Sequence, residues 1–227
     1  MSPKSGYPEF TVIGSGIIGI SSALALQKEG FRVTVVDREK PGQSCSFGNA
    51  GAISPSSALP NSLPGMMFKV PGWLFREDGP LFIQWQYFPK LIPWLIRFLN
   101  SANWDKVDET TSSLLALHAS CFRLYQDLVK EIGAEDLIVE SPVIHLYKQE
   151  EDFKGALSIW KILKNKGIDY EELDEPLVRE NEPNLSSDYH FGVLFRNSGF
   201  SSNPFRLVEK MSERCLSDGG NFVHESV

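Results

Sequence analysis

The chain has little cysteine, little histidine and no excess of positive charge. Cys45, Cys121 and Cys215 are the three cysteines among 227 residues, far apart and odd in number. None belongs to a Cys-x-x-Cys pair, which speaks against a disulfide framework or a zinc site and points to a reducing compartment, the cytoplasm. The four histidines, His118, His145, His190 and His224, show no metal-ligand spacing and sit in mainly apolar stretches. Each reads as an ordinary core or surface residue, and no metal is expected. Lysine and arginine number 22 against 29 acidic residues, a formal charge of -7. Without a basic face to displace counterions, no nucleic-acid partner is expected. No apolar run is long enough to span a bilayer. The stretch from Phe10 to Leu26, with Lys4 before it and Ala23-Leu24-Ala25 inside it, has the outline of a secretory signal, but Glu9 and three glycines break that pattern. With 18 Gly and 14 Pro, neither a collagen-like nor a low-complexity chain is indicated, and no internal repeat is visible. A hydrophobic share of 42% is too high for disorder and supplies the core of one or two domains.

The N-terminal pattern is a strand, a helix and a strand in under 40 residues. Phe10 to Ile13 is a short apolar run ending at glycine. Ile17 to Glu29 carries helix formers and stops at Gly30, and Phe31 to Val36 is β-branched and ends at Asp37. This is the minimal parallel crossover unit. Arg38 to Gly65 shows no periodicity. Pro89 and Pro93 divide Phe82 to Leu99 into two short helical pieces. Asp108 to Ile132 reads as one long helix with a stripe of Leu115, His118, Phe122, Tyr125 and Val129, stopping at Gly133. Strands follow at 137–140, 143–147, 168–173 and 190–195. Helices run from Glu151 to Asn165, stopped by Gly167, and from Asn203-Pro204 to Ser217, stopped by Gly219-Gly220. A final strand runs from Asn221 to Val227, and the chain stops in mid-strand there, which reads as an incomplete polypeptide.

The sharpest signal is Gly14-Ser15-Gly16-Ile17-Ile18-Gly19, after a strand and opening a helix. The first glycine permits the tight turn, the second lets backbone approach a pyrophosphate, and the third lets the helix pack on the strand. The helix N-terminus presents unpaired N–H groups and the positive end of its dipole to the phosphates. Asp37 ends the next strand, where a carboxylate accepts from a ribose hydroxyl and repels a 2′-phosphate, although Arg38 stands beside it. The bland alternative is three packing glycines and a solvated acid. The motif admits NAD or FAD. The long loop after the second strand favours FAD, because Ser46, Asn49, Ala50 and Gly51 combine small side chains with hydrogen-bonding groups suited to a flat ligand.

With Val35-Val36-Asp37-Arg38 and the specific run Ser46-Phe47-Gly48-Asn49-Ala50-Gly51 leading into Ile53-Ser54-Pro55, the chain resembles the N-terminal half of the FAD-dependent D-amino-acid oxidase superfamily, and most closely the bacterial D-amino-acid dehydrogenases. Weaker likeness continues through Trp94 to Leu99, Glu182-Pro183 and Gly199-Phe200 to Asn203-Pro204. The resemblance implies an α/β fold: a Rossmann-like FAD-binding domain, incomplete here, formed by 1–65 and 203–227, with an inserted α+β substrate domain at 66–202. It implies that Gly14, Gly16, Ile17, Ile18 and Gly19 hold the pyrophosphate, and Asp37 with Arg38 the adenosine ribose. Ser46, Asn49, Ala50 and Gly51 then lie along the flavin, and Val227 contacts the adenine. The implied reaction is oxidation of a D-amino acid or related amine to an imino acid, which water converts to a 2-oxo acid and ammonia. The α-hydrogen passes as hydride to flavin N5, with quinone or oxygen as final acceptor. The family's substrate-binding residues fall beyond the sequence shown, so no catalytic residue is assigned. Two other functions stay open: an NAD-dependent dehydrogenase, and an FAD-binding module or inactive fragment without catalysis of its own. Trp85 to Phe98 suits packing against the substrate domain or peripheral contact with the inner membrane. The acidic run at Glu171-Glu172 and Asp174-Glu175 reads as a solvated turn, and Cys45 as an unreactive thiol.

Overall fold

The computed structural model describes residues 8–65, 68, 72 and 84–227. Along the chain its elements are β1 (Glu9–Ile13), α1 (Ile17–Lys28), β2 (Arg32–Asp37), β3 (Ala52–Ile53), α2 (Phe88–Ser101), α3 (Trp104–His118), α4 (Cys121–Ile132), β4 (Ile138–Glu140), β5 (Val143–Tyr147), α5 (Glu150–Asn165), β6 (Glu171–Leu173), α6 (Glu175–Asn181), β7 (Phe191–Phe195), β8 (Gly199–Ser201), α7 (Pro204–Ser217) and β9 (Asn221–His224). They gather into two compact units. The first takes the chain up to Ser54, then Cys121–Val143 and Arg196–Val227; the second takes Pro55–Ser120 and Ile144–Phe195. The boundaries expected at residues 65 and 203 therefore differ from these: the chain from Pro55 on joins the second unit, and α4, β4 and β8 join the first.

In the first unit a parallel sheet runs in the order β1-β2-β9, with Val12 beside Val35 and Val35 beside Phe222. The period-2 alternation of β2 points Val33 and Val35 to one face, where they are buried under Ile20, Ala23 and Leu24 of α1 and Leu207, Val208 and Met211 of α7. Burial of each such side chain contributes about 1.5–3 kcal/mol, and a carboxylate at Val35 would put an unpaired charge in this core. Helix α1 ends as its sequence indicates. Gly30 takes φ +91, its amide donates to the Gln27 carbonyl, and the Phe31 amide reaches back to Leu26. The expected stops at Gly133, Gly167 and Gly219 close their helices with the same pair of bonds. Asn203 caps α7 by accepting from the Arg206 amide. A second, antiparallel sheet, β3-β8-β4, aligns Ala52, Phe200 and Val139 in one row. The second unit is α+β. Its sheet runs β5-β7-β6, and Leu115, Leu163, Tyr170, Val193 and Phe195 form its largest core.

Several elements differ from expectation. The helix expected over 108–132 is two helices, broken at Ala119 and Ser120. Its stripe served two cores, since Leu115 belongs to the second unit and Val129 to the first. Pro89 and Pro93 do not divide α2. Pro89 stands in the first turn, where its missing amide is not needed, and the helix absorbs Pro93 at the loss of one bond. Phe82 and Ile83 of that expectation lie outside the described residues. The short strands Ala52–Ile53 and Gly199–Ser201 were not foreseen, each being too brief for a periodicity. The acidic run is not a turn: Glu171 and Glu172 lie on β6, and Asp174 caps α6 by accepting from the Leu177 amide.

Candidate nucleotide site

The site begins where β1 ends. Gly14 adopts φ +100, a left-handed backbone that disfavours any side chain, and a Cβ there would meet open space. Its amide donates to the Val36 carbonyl at 2.8 Å, which ties the turn to β2. Gly16 is the N-cap of α1 and brings no capping side chain. That cap comes from further along the chain: Ser46 Oγ accepts from the Ile17 amide, 29 residues before it, at 2.9 Å. A Cβ on Gly16 would stand 3.3 Å from this hydroxyl, whereas one on Gly19 would overlap the Gly14 carbonyl. The third glycine therefore serves packing of helix on turn. In the first turn of α1 the Ile20 amide bonds to the Gly16 carbonyl, and helix geometry leaves the Ile18 and Gly19 amides for an outside acceptor.

Asp37 closes β2. Its Oδ2 accepts from the Ser15 amide at 2.6 Å and the Ser15 hydroxyl at 2.9 Å, and its Oδ1 accepts from the Glu39 amide at 2.9 Å. The Glu39 amide first, and then the Ser15 amide, hold this carboxyl below the ordinary carboxylate range, against a smaller opposing effect of burial. At neutral pH it is an acceptor only. Beside it lies a cleft of about 200 Å³ whose wall brings Gly14, Asp37, Arg38 and Val227 together with Glu225 and Ser226. The strand expected to run through Val227 stops at His224. Asp37 and His224 are the last register pair, and the Glu225 amide then donates to the Asp37 carbonyl. Val227 thus reaches the cleft as exposed, irregular chain.

The loop residues lie elsewhere. Ser46 is buried at the start of α1. Asn49 turns both ends of its amide into its own loop, donating to the Cys45 carbonyl at 3.1 Å and accepting from the Gly51 amide at 2.8 Å. Gly51 has φ +65, and a Cβ there would press on the Ser201 carbonyl at 2.6 Å, so the loop passes against β8 as only glycine permits. Ala50 is exposed, Ile17 packs on the core and Ile18 is exposed. Ser15, Glu225 and Ser226 were missed by sequence reasoning. The one available signal was a small polar residue between the first two glycines. The larger groove of the second unit, beside Tyr147, Lys148 and Tyr189, holds none of the expected site residues, and its Lys148 is paired with Asp188 at 2.9 Å.

An ionised acid in a small cleft, a glycine turn with open space and two unclaimed helix amides fit the adenosine and diphosphate of a dinucleotide. Fold and site together define a dinucleotide-binding protein of the Rossmann type. The family of FAD dependent oxidoreductases (DAO) matches residues 9–227, and the chain belongs to it. FAD is the cofactor that this family takes. The chain is 36% identical over 216 residues to a D-amino-acid oxidase of Bradyrhizobium diazoefficiens, covering 93% of this chain and 51% of the relative. It is 30% identical over 214 residues to a D-amino acid dehydrogenase of Dechloromonas aromatica, with the same two coverages. In fold it is similar to glycine oxidase from Geobacillus kaustophilus, with a TM-score of 0.61, 18% identity and coverage of 96% of this chain and 46% of that one. The chain spans about half the length of the curated relatives it matches.

Proposed function

We propose that the first unit holds the adenosine and pyrophosphate end of FAD in an enzyme that oxidises D-amino acids or related amines. The carrying observation is the joint geometry of the glycine turn, the ionised Asp37 and the cleft at Gly14. In this reading Gly14 and Gly16 keep the turn free of side chains. The Ile18 and Gly19 amides donate to phosphate, and Asp37 accepts from ribose with Arg38 and Val227 beside it. Ser46 fixes the helix start, while Asn49, Ala50 and Gly51 hold the loop that borders the flavin. FAD, when bound, supplies the two-electron acceptor that turns the amino acid into an imino acid, and water then releases a 2-oxo acid and ammonia. Oxygen or a quinone takes the electrons onward, in the cytoplasm or at its membrane face. The second unit belongs to the substrate side. For the 227 residues alone, FAD binding without turnover is the competing reading, supported by coverage of about half of each relative.

Titration of the chain with FAD, followed by quenching of flavin fluorescence, tests the site. Asp37→Ala removes a charge-assisted hydrogen bond and should weaken binding about tenfold to a hundredfold. An unchanged dissociation constant would return Asp37 to a structural role. Dye reduction with D-alanine separates turnover from binding alone.

Membrane contact has its own support. No residue of α2 is buried, Trp94 and Ile96 are more than half exposed, and no acidic side chain occurs from Gln84 to Asn103 while Lys90 and Arg97 do. Aromatic and basic residues on an amphipathic helix suit an anionic bilayer surface. No described helix is long and apolar enough to cross a membrane. Sedimentation with phosphatidylglycerol vesicles should carry the chain down and Trp94→Ala should reduce it; a chain left in the supernatant would end this part of the reading.

A further inference from the structure

Ser15 is buried to 1% exposure, as deeply as the apolar core residues of the same unit. A serine gains little from such burial, and a buried hydroxyl must find a partner. Its partner is a carboxylate 22 positions away. Both donors of Ser15, amide and hydroxyl, converge on the same oxygen, Oδ2 of Asp37, at 2.6 and 2.9 Å. Two donors match the two lone pairs of one carboxylate oxygen. The Glu39 amide donates to the other oxygen, Oδ1, at 2.9 Å. The Ser15 carbonyl in turn accepts from the Gly42 amide at 3.1 Å, so the residue that grips Asp37 is itself held by the chain beyond β2. A carboxylate gripped at both oxygens has no free rotation about its last torsion.

We infer that Ser15 is a positioning residue for nucleoside recognition: it saturates Oδ2 and fixes the carboxylate plane, so that Oδ1 is the oxygen left to accept from the vicinal hydroxyls of a ribose in the cleft. This rests on the reading of Asp37 as the ribose acceptor and adds how that acceptor is set. Ser15 does not touch the nucleotide. It discriminates through Asp37, and its hydroxyl matters only to ligands that carry the diol. A purely structural serine would behave differently, since its loss would weaken every ligand of the turn alike.

The experiment uses two probes, ADP and 2′,3′-dideoxy-ADP, each titrated in competition with FAD against the 227-residue chain and its variants. Ser15→Ala removes the hydroxyl and keeps the amide. The unmodified chain should prefer ADP about tenfold, the worth of one charge-assisted hydrogen bond. Ser15→Ala should cut that preference to about twofold by weakening ADP and leaving the dideoxy probe unchanged, as a loss confined to one acceptor requires. Asp37→Ala should abolish the preference, and Ser15→Ala added to it should change nothing more. Ser15→Cys, near in volume and a weak donor, should repeat the loss and guards against misfolding of the alanine variant. An undiminished preference in Ser15→Ala and Ser15→Cys overturns the inference, and so does equal weakening of both probes. An unmodified chain that does not distinguish the probes refutes the role of Asp37 itself, a different result from either.

Discussion

The two units offer examples of two ways to satisfy a buried hydroxyl, although Ser62 of the second also bonds across the chain, accepting from the Ser101 hydroxyl. In the first, Ser15 and Ser46 are buried and bonded across 22 and 29 residues of sequence, one to a carboxylate and the other to a helix amide. In the second, buried Thr111 donates to the Val107 carbonyl one turn back in its own helix. There His145 lies among rings, 4.7 Å from Trp160 and 5.7 Å from Phe195. Ser212 of the first unit behaves like Thr111, donating to Val208 within α7, away from the glycine turn. The distinction is therefore one of partnership. A buried hydroxyl satisfied within its own turn is a packing solution that any helix can adopt. One that reaches across the chain to a strand end or helix start fixes a geometry that the fold did not otherwise need, and that is the mark of a site.

The largest expected break falls on the glycine turn. Gly19→Ala places a Cβ on the Gly14 carbonyl, and backbone on both sides cannot give way cheaply. Destabilisation of about 3 kcal/mol in urea unfolding is expected, with loss of FAD binding. Gly16 is more tolerant, since its φ of -76° is ordinary and its nearest obstacle is the Ser46 hydroxyl at 3.3 Å. Gly16→Val should still expel that hydroxyl and crowd the phosphates, removing flavin at a cost of about 1 kcal/mol for the lost cap. Stoichiometric flavin in either purified variant would contradict the turn's assignment.

Acid sharpens the same contrast, because each unit holds a group displaced downward for a different reason. Hydrogen bonds from the Glu39 and Ser15 amides keep Asp37 ionised below its ordinary 3.8. Its contribution is complete above that value and lost as pH falls through the depressed one. Burial lowers His145 from 6.5, so the native ring stays neutral while the unfolded chain takes up a proton. Stability of the second unit should therefore begin to fall near pH 6.5 and go on falling to the depressed value, as the unfolded state binds more protons. Emission from Trp160, in contact with His145, follows this step. His145→Phe should remove it and leave the limb below pH 3.8, which Asp37→Asn alters. A single acid limb, unmoved by His145→Phe, would show that His145 does not set the response.

The sequence was most legible where one residue type decides the backbone. The stops at Gly30, Gly133, Gly167 and Gly219, the cap at Asn203 and the turn at Gly14 depend on local chemistry, and all formed where the residues indicated. It was least legible where a residue answers to a distant partner. Leu115 and Val129 have helical spacing but serve different cores, so one stripe became two helices. The site divides in the same way. Gly14, Asp37, Arg38 and Val227 do meet in one cleft. The hydrogen bonds of Ser46 and Asn49 turned inward, and Ser15 emerged only when its distance to Asp37 was known.

The smallest effect tests the contrast from the other side. Gly155 lies inside α5 with no atom within 4 Å of where a Cβ would stand, and its backbone is not left-handed. Glycine there costs conformational entropy that nothing in the folded unit recovers. Gly155→Ala should therefore stabilise the second unit by about 0.5–1 kcal/mol, raising its melting temperature by about 2–4 °C. The same change of residue would then act with opposite sign at two helical glycines, Gly19 and Gly155, because one meets a carbonyl and the other meets solvent. Differential scanning calorimetry of the two variants decides it. A loss of stability at Gly155→Ala would mean that this face of α5, which lines the groove beside Tyr189, is closely packed in solution. The second unit would then hold a close approach of its own, and the contrast between a functional glycine and a dispensable one would fail there.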